Sequence, residues 1–187
     1  MTVTTRPAQP ISTALQTQLA SGTLAGKWIL DPDRSTARLR ARHMWGLAPV
    51  NGHFRALSGD GTVSPSGEVT GRFAIATASV DTWNAQRDGH LRGTDFFLSE
   101  QYPEITFSLD ALTPADQHVT VSGTLTVRDT SRRISFPAML AISSDREAAF
   151  DATVEVDRSD FGMTVNHLGG MVKMKCSVAL HVVFTKA

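Results

Sequence analysis

The chain carries no surplus of charge. Its 18 Lys and Arg are matched by 18 Asp and Glu over 187 residues, so the attraction that draws proteins to nucleic acid or to anionic bilayers is missing. A phosphate-tracking binder is not expected on that ground. Cysteine is nearly absent: Cys176 stands alone, and one thiol can form neither an internal disulfide nor a cysteine zinc centre. No apolar run approaches the ~18 residues a membrane-spanning helix needs, so stable membrane insertion is not expected. Residues 1–20 show neither the long apolar core nor the basic start of a secretory signal, which gives the expectation of a cytoplasmic protein.

Catalytic and cofactor motifs are also missing. There is no G-x-S-x-G elbow, and Gly59-Asp60-Gly61 lacks the further glycines and following helix of a phosphate loop. The six histidines, at 43, 53, 90, 118, 167 and 181, include no H-x-H, no H-E-x-x-H and no i,i+4 pair, so local spacing offers no metal site. No cofactor is expected from these motifs.

What is present is apolar material in a regular order. Hydrophobic residues make up 41% of the chain and charged ones 19%, enough for a real core within one main domain. Residues 1–25 form an extension in which Ile11, Leu15 and Leu19 recur four apart and Gly22 follows, the pattern of one short helix.

From residue 26 to 187 the period changes to two. Ala37, Leu39, Ala41 and His43 share one face and Arg38, Arg40 and Arg42 the other, a split that a strand makes and a helix scatters. The same alternation runs through 50–56, 69–75, 105–109, 119–127, 134–142, 150–156 and 172–184. It places Phe54, Phe73, Ile75, Phe107, Leu125 and Phe136 on apolar faces, and Cys176 likewise, where it reads as a small core residue. Ser58-Gly59-Asp60-Gly61, Ser64-Pro65-Ser66-Gly67, Asp129-Thr130-Ser131 and Ser143-Ser144-Asp145-Arg146 read as turns. The sum is an all-β antiparallel protein of about eight strands, either a sandwich or a closed up-and-down barrel. Small residues on the apolar faces, Ala37, Ala41, Gly52, Gly71 and Gly123, favour an interior cavity over a filled core.

Residues 79–103 break the alternation and are too long and too charged for a hairpin loop. Asp81 or Thr82 is expected to cap a short helix through Leu91, ended by Gly93. Arg87, Asp88 and His90 then form either a polar mouth for an amphiphile or a cap in which they satisfy one another.

The segments Trp28-Ile29-Leu30-Asp31-Pro32, Val50-Asn51-Gly52-His53-Phe54, Arg87-Asp88-Gly89-His90-Leu91, Asp95-Phe96-Phe97, Tyr102-Pro103-Glu104 and Val156-Asp157-Arg158-Ser159-Asp160-Phe161-Gly162 follow one another as in the YceI-like, or polyisoprenoid-binding, family, which the chain resembles. The resemblance implies a lipocalin-like barrel with a short helical lid, binding a long-chain isoprenoid or similar amphiphilic lipid, quinone-like ones included, to sequester or transport it as a homodimer. It implies His43, Arg87, Asp88 and His90 at a polar entrance, and Phe54, Phe73, Ile75, Phe96, Phe97, Phe107, Leu125 and Phe136 as apolar lining. The alternative is an enzyme acting on a lipid or quinone in the same cavity, with Asp88 orienting His90 as an acid–base pair. A third reading is an interaction module with a packed interior.

Overall fold

The computed structural model describes residues 11–43, 48–115, 117–164 and 172–187. Helix α1 (Ile11–Ala20) precedes ten strands: β1 (Gly26–His43), β2 (Ala48–Phe54), β3 (Leu57–Val63), β4 (Val69–Ala76), β5 (Val80–Asp81), β6 (Glu104–Pro114), β7 (Val119–Val127), β8 (Thr130–Ser144), β9 (Glu147–Asp157) and β10 (Val172–Lys186). A second helix, α2 (Ala85–Arg92), lies between β5 and β6. The sheet runs β10-β9-β8-β7-β6-β4-β3-β1-β2-β5, and β10 pairs back onto β1. That last pairing closes an eight-stave antiparallel barrel, with the two-residue β5 paired to β2 at the end of the order.

Among the described residues, ten strands fall on eight staves through two breaks, one between β2 and β3 beside β1 and one between β4 and β5 at Thr77–Ser79. The first part of β1 pairs with β3 (Gly26↔Val63 to Ile29↔Asp60) and the second with β2 (Ala37↔Phe54 to His43↔Ala48). Along β10 the register of β1 slips between Asp31 and Thr36. Pro32 cannot donate to a ladder, and the Asp31 carboxylate instead takes the backbone N–H groups of Asp33 (3.1 Å) and Arg34 (3.3 Å). Ser35 repairs the gap: its Oγ donates to the Asp31 carbonyl at 2.6 Å and accepts from Val183 N at 3.0 Å.

Hydrophobic alternation determines which side chains face in. In β7, Val119, Val121 and Gly123 are buried while Thr120, Ser122 and Thr124 are more open. Two core clusters result, one around Leu30, Phe54, Ile75, Val80, Phe97, Phe161 and Val182, the other around Leu15, Leu24, Trp28, Val63, Val119 and Leu140. They lie toward opposite ends of the barrel. The second includes α1, which packs across its end through Leu15, 3% exposed.

Three sequence expectations needed correction. Ser58-Gly59-Asp60-Gly61 is strand, not turn: it lies within β3, and the reversal comes at Ser64-Pro65-Ser66-Gly67, where Ser64 N–H meets the Glu68 carbonyl at 2.8 Å. The glycines serve close packing of backbones, since a Cβ on Gly59 would lie 3.0 Å from the Arg72 carbonyl. The α2 cap is Asn84, whose side chain accepts from Arg87 N at 2.9 Å, not Asp81 or Thr82. Gly52 and Gly123 do not open space: Cβ atoms there would lie 2.7 Å from Thr82 Cγ2 and 2.5 Å from Phe107 Cζ, so both sites are filled by neighbours.

Candidate functional site

Inside the barrel lies a cavity of about 280 Å³. Its walls are almost wholly apolar because every stave contributes its inward set. Neighbouring strands put Phe73 opposite Phe107 and Phe107 opposite Leu125, and Phe107 leans on Phe136 with ring centroids 5.6 Å apart. These four line the cavity together with Ile75, Phe54 and Phe97. Phe54 and Phe97 meet edge to face at 5.9 Å, which ties the lid to the barrel wall. Asp60 and Arg72 border the cavity where the inward positions of β3 and β4 are glycines, and their own side chains are exposed.

Phe96 is the exception among the expected lining residues. It is absent from the wall and is packed instead between His90, at 5.2 Å centroid to centroid, and the Arg158 guanidinium, 5.4 Å above its ring. Phe96 and Phe97 are adjacent in sequence, so one faces the cavity and the other faces away from it.

The expected polar entrance resolves into separate parts. Asp88, 6% exposed, accepts from Thr82 N at 2.9 Å and Thr82 Oγ1 at 2.5 Å. Arg87 donates from Nε to Thr82 Oγ1 at 2.8 Å and from Nη2 to the Thr82 carbonyl at 2.7 Å. Both therefore clasp α2 onto the segment after β5, and neither lines the cavity. The Asp88–His90 pair is not formed: His90 Nε2 lies 3.2 Å from Asp95 Oδ2, and its imidazole is half-exposed. Residues two apart on a helix diverge by roughly 200°, which is why Asp88 turns inward while His90 turns out. The His43 backbone pairs with Ala48, and its side chain lies outside the described residues.

The charged group that does reach the cavity is Arg158, which follows β9 in the turn Arg158–Phe161. It is 5% exposed and donates from Nη1 to the Met163 carbonyl at 2.6 Å. Gly162, at φ 72°, ends the turn in the left-handed region and returns Met163 toward the barrel. Burial draws the Arg158 guanidinium below its ordinary pKa. Cys176 lines the same end, its Sγ 3.5 Å from the Val156 carbonyl, and burial pushes its thiol above the usual range. The sequence carried a signal for Arg158, because it continues the inward parity of Phe150, Ala152, Val154 and Val156. The wall residues Leu15 and Leu19 had the helical spacing but no sign of where the helix docks.

Among the described residues no helix is long and apolar enough to cross a membrane. Similarity to other proteins follows the barrel. The chain is 26% identical over 153 residues to Protein YceI of Escherichia coli O157:H7, covering 77% of this chain and 80% of that one. The crystal structure of Burkholderia cenocepacia BcnA superposes with a TM-score of 0.74 at 23% identity, covering 82% and 98% of the two chains. A polyisoprenoid binding domain from Saccharophagus degradans gives 0.70 at 18% identity, covering 86% and 98%. The YceI protein of Campylobacter jejuni gives 0.63 at 25% identity, covering 75% and 87%. The YceI-like domain profile matches residues 28–184, the whole barrel from β1 to β10, and the chain belongs to the YceI-like family.

Proposed function

We propose that the protein binds a long-chain isoprenoid or similar amphiphilic lipid, with its tail in the barrel and its head group at the Arg158 end, and thereby sequesters or carries it. The observation that carries this is the apolar-walled cavity of about 280 Å³ inside the barrel with a buried guanidinium at one end. Apolar walls reward a hydrocarbon tail by ~0.8 kcal/mol per buried methylene before ordering costs. The positive charge of a guanidinium attracts a phosphate, carboxylate or quinone oxygen. The polyisoprenoid binding domain of Saccharophagus degradans shares the fold, which is consistent with the same ligand class here. A homodimer and a cytoplasmic location belong to the same proposal, while the cavity itself is built by one chain.

The reading is of a binder. His90 faces the Asp95 carboxylate and its imidazole lies off the cavity wall, which favours a binder over the Asp88–His90 acid–base pair.

A photoreactive isoprenoid with a diazirine in its tail tests the placement. After irradiation and digestion, label on inward positions such as Phe73, Leu125 and Phe136 is expected. Label confined to exposed apolar residues such as Ile29, Trp83 and Met139, which are 52%, 71% and 50% exposed, would overturn it.

A further inference from the structure

We infer that helix α1 is the stop that sets which tail lengths the cavity accepts, an inference that rests on the chain-binding reading above. The family domain begins at residue 28, whereas α1 spans Ile11–Ala20. The element that packs at this end of the barrel therefore lies outside the residues matched to the family.

Leu15 and Leu19 of α1, with Leu24 just after it, line the cavity itself. Leu15 and Leu24 are 3% and 4% exposed and pack with Trp28, Val63 and Ala148 from the rims of β1, β3 and β9. A tail entering from the lid end and running past Phe73 and Phe107 meets these leucines last.

The docking is built in by contacts that leave no slack. Trp28 Nε1 donates to the Leu24 carbonyl at 3.0 Å, and Lys186 Nζ donates to the Thr23 carbonyl at 3.1 Å. On the other side the helix rests on the β3–β4 turn: a Cβ on Gly67 would stand 3.2 Å from Leu19 Cβ and 3.3 Å from its carbonyl oxygen. Gly67 sits at φ 85°, so the turn can bring its backbone this close to α1 only with glycine there. A ten-residue helix is marginal alone in water, so the position of Leu15 is held by the barrel and not by the helix.

The test uses the full-length, delipidated protein and two homologous series, the isoprenoid alcohols farnesol, geranylgeraniol and solanesol, and straight-chain fatty alcohols of increasing length. Binding is read by native mass spectrometry on wild type, Leu15→Trp, and Leu15→Ala combined with Leu19→Ala. Wild type is expected to bind up to a limiting length. Leu15→Trp should weaken the longest accepted chain at least tenfold while keeping shorter ones, and the double alanine variant should admit the next longer chain at least tenfold better. Opposite shifts from one face of α1 cannot come from general damage to the fold, and unchanged melting of Leu15→Trp provides a further check.

The same length limit in all three proteins would overturn the stop. If only the straight-chain series binds and its limit shifts as stated, the isoprenoid reading fails and the stop stands. If no chain of either series binds any of the proteins, both fail.

Discussion

Thr82 and Asp88 lock the lid at its root: one carboxylate oxygen accepts both the backbone N–H and the hydroxyl of Thr82, at 2.9 and 2.5 Å, and both residues are buried, 2% and 6% exposed. Arg87 closes the same knot from the other side through the Thr82 hydroxyl and carbonyl. The Arg-Asp-x-His-Leu motif is thus a structural clasp in three of its positions, with Leu91 packed against the core and His90 outside it.

Breaking the clasp should loosen the lid before it touches the cavity. Asp88→Ala removes an acceptor for two buried donors and is expected to cost about 2 kcal/mol. Hydrogen exchange should speed up across residues 82–97 and stay unchanged in β7 and β8. Uniform exchange changes across the barrel would mean that Asp88 supports the whole fold.

Glycines divide into those that fit a neighbour and those that do not. Gly123→Leu forces a side chain into Phe107 and the Ser108 carbonyl, and overpacking of this kind costs roughly 1–3 kcal/mol or more. Gly89 in α2 has nothing within 4 Å of a new Cβ, so Gly89→Ala should stabilise the protein by about 0.5–1 kcal/mol through helix propensity. Thermal unfolding of both variants checks the opposite signs.

Arg158 is where head-group recognition should be felt. Arg158→Met keeps the apolar contact with Phe96 and removes the donors. Affinity for an isoprenyl phosphate is expected to fall at least tenfold, and affinity for the parent hydrocarbon to stay within about twofold, because only a charged or polar head loses partners worth ~1.5–3 kcal/mol. Isothermal titration with the two ligands reads the difference. An equal loss for both would assign Arg158 to packing.

Acid should reach the barrel through β1 and β9. Arg34 donates to both carboxylate oxygens of Glu147, at 2.6 and 3.1 Å, and Ser143 Oγ adds a bond at 2.9 Å. The Arg34 hydrogen bonds, then that of Ser143, pull the Glu147 pKa from 4.5 down to about 2. A folded-state value below the unfolded one means the stabilising contribution is complete above the unfolded pKa and is lost as pH falls toward about 2. Carbon-detected NMR titration of Glu147 should give that midpoint in wild type and one shifted toward 4.5 in Arg34→Ala.

Most of the barrel was legible because period-two alternation is imposed by the pleat and survives in the sequence wherever one face is wet. The run from Val119 to Val127 predicts its strand and its inward set residue by residue. What was not legible depended on through-space neighbours. Gly52 and Gly123 read as cavity makers, yet Thr82 and Phe107 fill the space beside them. Gly59 and Gly61 read as a turn because local propensity cannot see that β4 needs close backbone approach. At the site, Phe73, Phe107, Leu125 and Phe136 followed from parity alone. Phe96 was expected on the wall, and Arg87 and Asp88 stayed open between a mouth and a cap, because the facing of a lid residue is decided by partners in the fold, here His90, Arg158 and Thr82.

The central claim is a lipid tail held inside the barrel. Native mass spectrometry of protein purified without detergent from its own cells, followed by organic extraction, tests it most directly. The account predicts a stoichiometric adduct whose extract is a lipid with an isoprenoid tail, displaced in the Leu125→Asp variant, whose new carboxylate would enter the cavity. Protein that carries no lipid and takes up none on mixing with isoprenyl lipids, while Leu125→Asp folds unchanged, would contradict it.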